Sequence, residues 1–312
     1  MPAETATASC PRTAPAIPPG IHCAADYEAF ARQKLDGPVY EYIAGGSGEE
    51  RTVAANRAAF DKLQILPRLL RDLRSGHTRL RMLDREFVHP VILAPLAFQQ
   101  LVHPHGEAEA AAAAAATDTC LVCSTLSSCR LEDVSALAGP QRWFQLYFQP
   151  DRELTLALVN RAQAAGYGAI VVTLDTPIQA PSLRSLRAGF RLPPALEPAN
   201  LAGAAAPPTV SLAPGSSRIF QGMMGEAPTR DDLAWLLRET ELPVLAKGVL
   251  RPDDATMLKD MGVAGIVVSN HGGRALDGVP ASLSMLGPVR RALGPAFPVL
   301  VDGGIRSGSD VF

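Results

Sequence analysis

A histidine, an arginine and a pair of glycines stand together in the stretch SNHGGRALDG, where His271 is followed by Gly272 and Gly273 and then by Arg274. An imidazole can take or give a proton near neutral pH. A guanidinium can grip a carboxylate through paired N–H groups, and glycines let the backbone approach a ligand closely. Together these types suit proton abstraction from a small anionic substrate. A second cluster is DGGIRSG, with Asp302, Gly303, Gly304 and Arg306; its backbone N–H groups and its cation beside a helix start form a natural phosphate cradle. A third feature is Lys247, which closes the apolar run PVLAK. An ammonium there must be paired or must meet an anionic or electron-rich ligand. The plainer alternatives are a histidine satisfied in a core and a lysine that snorkels to solvent along its stem.

The elements that must position these residues are legible as alternating units. Near-continuous apolar runs at 91–95 (VILAP), 120–124 (CLVCS), 143–147 (WFQLY), 169–175 (AIVVTLD), 243–247 (PVLAK), 265–270 (GIVVSN) and 298–304 (PVLVDGG) predict seven strands buried on both faces. Between them lie helical stretches such as GEAEAAAAAAAT, ELTLALVNRAQAAG and DDATMLKDMG. Strands alternating with helices predict an α/β fold, a (β/α)8 TIM barrel rather than an open sheet. An N-terminal helical extension precedes it, and the chain reads as truncated after strand seven, with two unpaired sheet edges. Catalytic residues of such barrels sit at the carboxyl ends of strands. In chain order those ends offer Pro95 and Ala97, Ser124, Gln145 and Tyr147, Thr173 and Asp175, Lys247, His271 and Arg274, and Asp302 with its glycines. The Pro- and Gly-rich segment 178–230 reads as a long lid or loop.

Composition narrows the partners. With 29 basic and 31 acidic side chains the net charge is −2, which offers no field for nucleic acid or an anionic membrane. The first twenty residues, rich in Pro, Ala and Thr, lack a basic and then apolar export signal. We therefore expect a disordered leader at 1–22, one domain at 23–312 that is incomplete at its C-terminus, and a cytoplasmic protein with no membrane anchor. Of the five cysteines, Cys120 and Cys123 form a CxxC inside an apolar strand, with no further ligands spaced to complete a metal site. Buried thiols and no metal are expected.

Taken together, SNHGGRALDGVPAS, WFQLY, LAKGV, LVDGGIRSGSDVF and YEYIAGGSGEE resemble the FMN-dependent 2-hydroxy-acid dehydrogenase and oxidase family, which includes glycolate oxidase, lactate oxidase and mandelate dehydrogenase. The resemblance runs from about residue 23 to the last residue. It implies an oxidoreductase acting on a CH–OH group, with FMN across the barrel mouth and its ring beside the backbone of Pro95, Leu96 and Ala97. Ser124, Gln145 and Thr173 would hydrogen-bond the flavin, Lys247 would sit at its N1 and O2, and Ser269 matches a further flavin position. Asp302 would take ribityl hydroxyls, and Gly303, Gly304 and Arg306 the phosphate. For the 2-hydroxy-acid substrate, Arg274 would hold the carboxylate with Tyr42 and Tyr147. His271 would act as base, with Asp175 stabilising its imidazolium. The resemblance also implies a homotetramer.

Three departures stand out. Ser182 occupies the position of the family's second carboxylate-binding arginine, leaving Arg184 or Arg187 as substitutes. Leu126 replaces a tryptophan of plant-type glycolate oxidases, which favours a bulkier substrate than glycolate. Ala97 resembles the oxygen-using members. A competing reading is a catalytically impaired flavin-binding fragment, built on Ser182 and the absent eighth strand. An isoprenoid diphosphate isomerase on an FMN barrel is disfavoured, because Tyr42, Tyr147 and a single arginine stand where cations for a diphosphate would be needed.

Overall fold

A computed structural model describes residues 17–204, 212–213, 215–225 and 227–312. Most of the proposed leader and parts of the 178–230 segment lie outside the described residues. Helices Asp26–Lys34, Gly37–Ala44 and Arg51–Asp61 open the fold. Strands Leu80–Met82 (β1) and Arg85–Phe87 (β2) then form an antiparallel hairpin that the sequence did not reveal. Seven parallel strands follow: Ile92–Leu93 (β3), Cys120–Ser124 (β4), Arg142–Leu146 (β5), Ile170–Thr173 (β6), Val244–Val249 (β7), Gly265–Val268 (β8) and Val299–Val301 (β9). They pair in strict sequence order from β3 to β9, which are the edge strands of this curled sheet. A helix intervenes at every step, from Glu107–Ala116 between β3 and β4 to Ser282–Leu293 between β8 and β9. This is the architecture of a TIM barrel, with β3 and β9 not paired to one another.

The side-chain period of two, hidden in the sequence by strands that are apolar throughout, is explicit in the packing. Leu121 and Cys123, Phe144 and Leu146, Ile170 and Val172, Val244 and Ala246, and Ile266 and Val268 point outward. They pack on helix residues such as Leu131, Leu158, Leu236 and Val289. Cys120 and Val122, Trp143, Ala169 and Val171, Leu245 and Val267 point inward and form a second cluster. The hairpin supplies the floor of that inner cluster. Phe87 meets Trp143 edge to face at 6.0 Å, with Leu80, Met82 and Leu83 packed alongside. Burying each large side chain of these layers contributes about 1.5–3 kcal/mol, and that two-sided burial holds the strands in register.

Local signals set the helix ends. Asp151 caps Arg152–Ala164 by accepting from Glu153 N, Thr229 and Asp232 form a reciprocal capping box at Arg230–Glu239, and Gly262 ends Pro252–Met261 in the left-handed region. Cys120 and Cys123 lie on opposite faces of β4, both free and buried, and burial pushes each thiol up to about 12. Among the described residues no group of His, Cys, Asp or Glu is arranged to hold a metal, and no helix is long and apolar enough to cross a membrane.

Candidate active site

Followed toward the carboxyl ends of the strands, the inward file changes character. Above Val122, Trp143, Val171, Leu245 and Val267 come Ser124, Gln145, Thr173, Lys247 and Ser269, all buried. A polar layer over an apolar plug is the base of a ligand site. Ser124 Oγ donates to Gln145 Oε1 at 3.2 Å and Gln145 Nε2 donates to Thr173 Oγ1 at 3.0 Å, so three strands share one amide-centred chain. Lys247 Nζ sits 2.9 Å from Asp302 Oδ2 and donates to Ser269 Oγ at 2.8 Å. The ammonium is thus paired, and the snorkelling alternative fails: Lys247 is only 5% exposed.

These groups open into a cavity of about 710 Å³, within the range of small-molecule sites. Its lining includes Tyr42, Pro95, Leu96, Ala97, Ser124, Gln145, Tyr147, Thr173, Lys247, His271, Arg274, Asp302 and Gly303. Asp175 and Ser269 lie one layer back, beside a smaller apolar cavity of about 290 Å³. Gly304 is turned to the N-terminal helices, its carbonyl accepting from Arg57. Arg306 is exposed and its guanidinium returns to the carbonyl of Ile305, so its side chain is not among the cavity walls.

His271 Nδ1 lies 3.0 Å from Asp175 Oδ1. A carboxylate acceptor assigns the proton to Nδ1 and the lone pair to Nε2. The His271 backbone is left-handed, with φ +59°, a conformation that costs a non-glycine residue about 1–2 kcal/mol. Its turn is held by Ser269 Oγ, which accepts His271 N at 3.1 Å, and by Asn270 Oδ1, which accepts Gly273 N at 3.2 Å. Asn270 is locked in turn to Asn56 of the helix Arg51–Asp61. The same N-terminal region meets Gly273 of the turn directly: Ser47 N donates to Gly273 O, and a Cβ on Gly273 would lie 2.8 Å from Val53 N.

Arg274 Nη1 donates to the carbonyls of Tyr42, Ile43 and Gly45 at 3.0, 3.3 and 2.7 Å, and its guanidinium lies 5.0 Å from the centre of the Tyr42 ring. The other partner of that ring is Phe190, stacked at 4.1 Å and 9°. Tyr147 is held protonated: burial first, then the negative charge of Asp175, push its phenol up to about 12. Ser182, in place of a second arginine, caps the short helix Leu183–Arg187 by accepting Ser185 N. Of the two candidate substitutes, Arg184 is paired with Glu41 and Glu50, and Arg187 is exposed away from the cavity walls. Among the described residues the cavity wall therefore contains one guanidinium, that of Arg274.

Sequence reasoning missed Asn56, Phe190 and the Glu41 and Glu50 partners of Arg184. Only Asn56 carried a usable signal, as a polar residue at helical spacing from Thr52, Ala59 and Phe60, which are all buried.

The donor set fits a flavin nucleotide. A buried cation at the mouth suits an electron-rich ring, and Asp302 Oδ1 is buried without a hydrogen-bond partner among the described residues, ready to accept from a ligand hydroxyl. Residues 31–312 match the family described as FMN-dependent dehydrogenase.

The chain belongs to this family.

Its relatives include an "L-lactate oxidase" of Alicycliphilus denitrificans, 56% identical over 95% of this chain and 81% of that protein. A "4-hydroxymandelate oxidase" of Amycolatopsis orientalis is 43% identical over 92% of this chain and 80% of its own length. Among solved structures, a mandelate oxidase with (S)-2-phenylpropionate superposes with a TM-score of 0.82 at 40% identity, covering 93% of this chain and 80% of that one. This FMN-dependent family member is accordingly an oxidoreductase that acts on the CH–OH group of 2-hydroxy acids.

Proposed function

We propose that this chain oxidises 2-hydroxy acids bearing an apolar side chain to 2-oxo acids, with His271 as the base. The observation that carries this reading is the Asp175–His271 pair, which leaves Nε2 basic at the wall of a cavity that also contains Arg274, Tyr42 and Tyr147. FMN, when bound, would supply the acceptor of the two electrons and of the one hydrogen lost by the substrate that His271 does not take. Lys247 and Asp302, with Ser124, Gln145, Thr173, Ser269 and the backbone of Pro95, Leu96 and Ala97, would hold it; Gly303 at the cavity wall, with Gly304 behind it and Arg306 once its guanidinium leaves the Ile305 carbonyl, would take its phosphate.

Arg274 holds the carboxylate and the two tyrosine hydroxyls orient it and the 2-oxygen. His271 Nε2 takes a proton from the 2-hydroxy acid, and Asp175 stabilises the resulting imidazolium, a contribution of about 10²- to 10⁴-fold in rate. Part of the cavity wall is apolar, with Leu96, Phe98, Leu101, Val102, Leu126, Leu186 and Phe190. That wall favours a substrate side chain larger than the hydrogen of glycolate. The names of the relatives, lactate and hydroxymandelate oxidases, support both an apolar side chain and oxygen as the final acceptor.

The test is a comparison of kcat/KM for glycolate, L-lactate, L-2-hydroxyisocaproate and (S)-mandelate with oxygen consumption as readout. Each buried methylene contributes about 0.8 kcal/mol, so a rise of several-fold per added carbon over glycolate is expected until the wall is filled. A preference for glycolate over all three larger acids would refute the apolar assignment.

A further inference from the structure

Strand β7 carries an irregularity beside the candidate base. Its register against β8 shifts between Lys247 and Val249, and Gly248 between them adopts φ +100°. A Cβ built there would lie 2.6 Å from Asp175 Cβ, 2.6 Å from Asp175 Cγ and 2.9 Å from Asp175 Oδ2. The short aspartate side chain has no far end that could swing aside. Its backbone is fixed as well, since Thr173 pairs with Lys247 in the sheet and Leu174 N donates to Lys247 O at 2.9 Å.

The Asp175 carboxylate has one specific tether. Oδ1 meets His271 Nδ1, whereas Oδ2 is buried and makes no hydrogen bond among the described residues. On one side the carboxylate borders the small apolar cavity, and on the side of β7 it occupies the space that a Cβ at position 248 would need. Of the titratable groups facing the pair, Tyr147 feels the charge of Asp175 through space, and Lys247, paired with Asp302, reaches the His271 turn through Ser269, which accepts both Lys247 Nζ and His271 N.

Resting on the reading of His271 as base, we propose that Gly248 is a positioning residue for proton transfer. The missing side chain at the β7 bulge is the seat of the Asp175 carboxylate, and it sets the aim of the imidazole. A merely structural alternative exists, in which glycine serves only the positive φ. The two differ in one respect: backbone strain acts whatever stands at 175, while the contact acts only through Asp175.

The experiment is anaerobic stopped-flow reduction of the FMN-loaded chain by L-lactate in the parent, Gly248→Ala, Asp175→Gly and the double variant. Seating through Asp175 predicts that Gly248→Ala slows reduction by at least about 30-fold, within the range of a lost base orientation, while FMN affinity changes less than about 3-fold. In the Asp175→Gly background the same alanine should change the rate by less than about 2-fold, a strongly non-additive cycle. The limb of the pH profile of kcat/KM should move in the same direction in Gly248→Ala as in Asp175→Asn. Additive effects, an unmoved pH limb or parent-like reduction by Gly248→Ala would overturn the proposal. If Gly248→Ala does not fold, the double variant decides. Recovery of a folded, FMN-binding protein supports seating, and a double variant that also fails shows that the glycine serves the backbone alone. Loss of the base reading itself would appear separately, as unimpaired reduction by Asp175→Asn and His271→Ala.

Discussion

Asn56 and Asn270, 214 positions apart, exchange reciprocal side-chain hydrogen bonds of 2.9 and 2.7 Å in a buried site. Asn56 Oδ1 also accepts Ser282 N, and Asn270 Oδ1 accepts Gly273 N. One amide pair thus ties an N-terminal helix, the turn of His271 and the start of the following helix together. It supplies the over-determination that a left-handed histidine needs.

Asn56→Ala would leave the Asn270 amide buried without its partner. The expected loss is about 1–3 kcal/mol of stability, read by chemical denaturation, together with slower flavin reduction by L-lactate. An unchanged midpoint and an unchanged rate would show that the turn holds itself.

Lys247 and Asp302 form a pair in which the lysine side chain is 7% exposed and the aspartate 21%. Lys247→Met removes one partner and leaves a carboxylate largely out of water, a change that costs about 3 kcal/mol or more in buried pairs. FMN retention, followed by flavin fluorescence after gel filtration, should fall with it. A Lys247→Met chain as stable as the parent and fully loaded with FMN would remove the lysine from the cofactor site.

Phe190 stacks on the ring of Tyr42 at 4.1 Å in the wall of the same cavity. An aromatic pair of this geometry contributes about 0.5–1.5 kcal/mol beyond its buried area, so Phe190→Ala should raise KM by roughly 2- to 10-fold with kcat little changed. Steady-state kinetics with L-lactate checks this, and a fall in kcat at constant KM would place Phe190 in the chemistry instead.

Asp232 is held down at about 2 by Arg152 and by the side chain and N–H of Thr229. Its folded pKa is below the ordinary 3.8, so the stabilisation is present above about 4 and is lost as pH falls toward 2. Because Arg152 is half exposed, the pair itself contributes under about 1 kcal/mol. Asp232→Asn should lower stability at pH 7 by about 1 kcal/mol through the lost capping box and flatten the decline below pH 4. A parallel decline in both proteins would assign it to other carboxylates.

The fold was legible where burial writes continuously apolar runs. All seven barrel strands were anticipated, because a strand covered on both faces has no polar alternation to confuse it. The polar groups at their carboxyl ends were equally visible, since Lys247 or Gln145 in such a run has no apolar explanation. The β1–β2 hairpin was not legible: Arg81, Arg85 and Glu86 interrupt it, and its function as a plug depends on Phe87 finding Trp143 across 56 positions of sequence. Arg184 could not be placed by spacing, because its direction is decided by Glu41 on the helix Gly37–Ala44 and by Glu50 just before the helix Arg51–Asp61, both distant in sequence. Phe190 and Gly248 were silent for the same reason, as each matters through one neighbour brought up by the tertiary fold.

The central claim, a 2-hydroxy-acid oxidation with His271 as base, is tested most directly by anaerobic titration of the FMN-supplemented chain and its His271→Ala variant with L-lactate. The visible band of the oxidised flavin is the readout. The account predicts that the parent bleaches on mixing and regains its colour in air, while His271→Ala binds FMN and stays yellow, at least about 10²-fold slower. A His271→Ala variant that bleaches at the parental rate would contradict it.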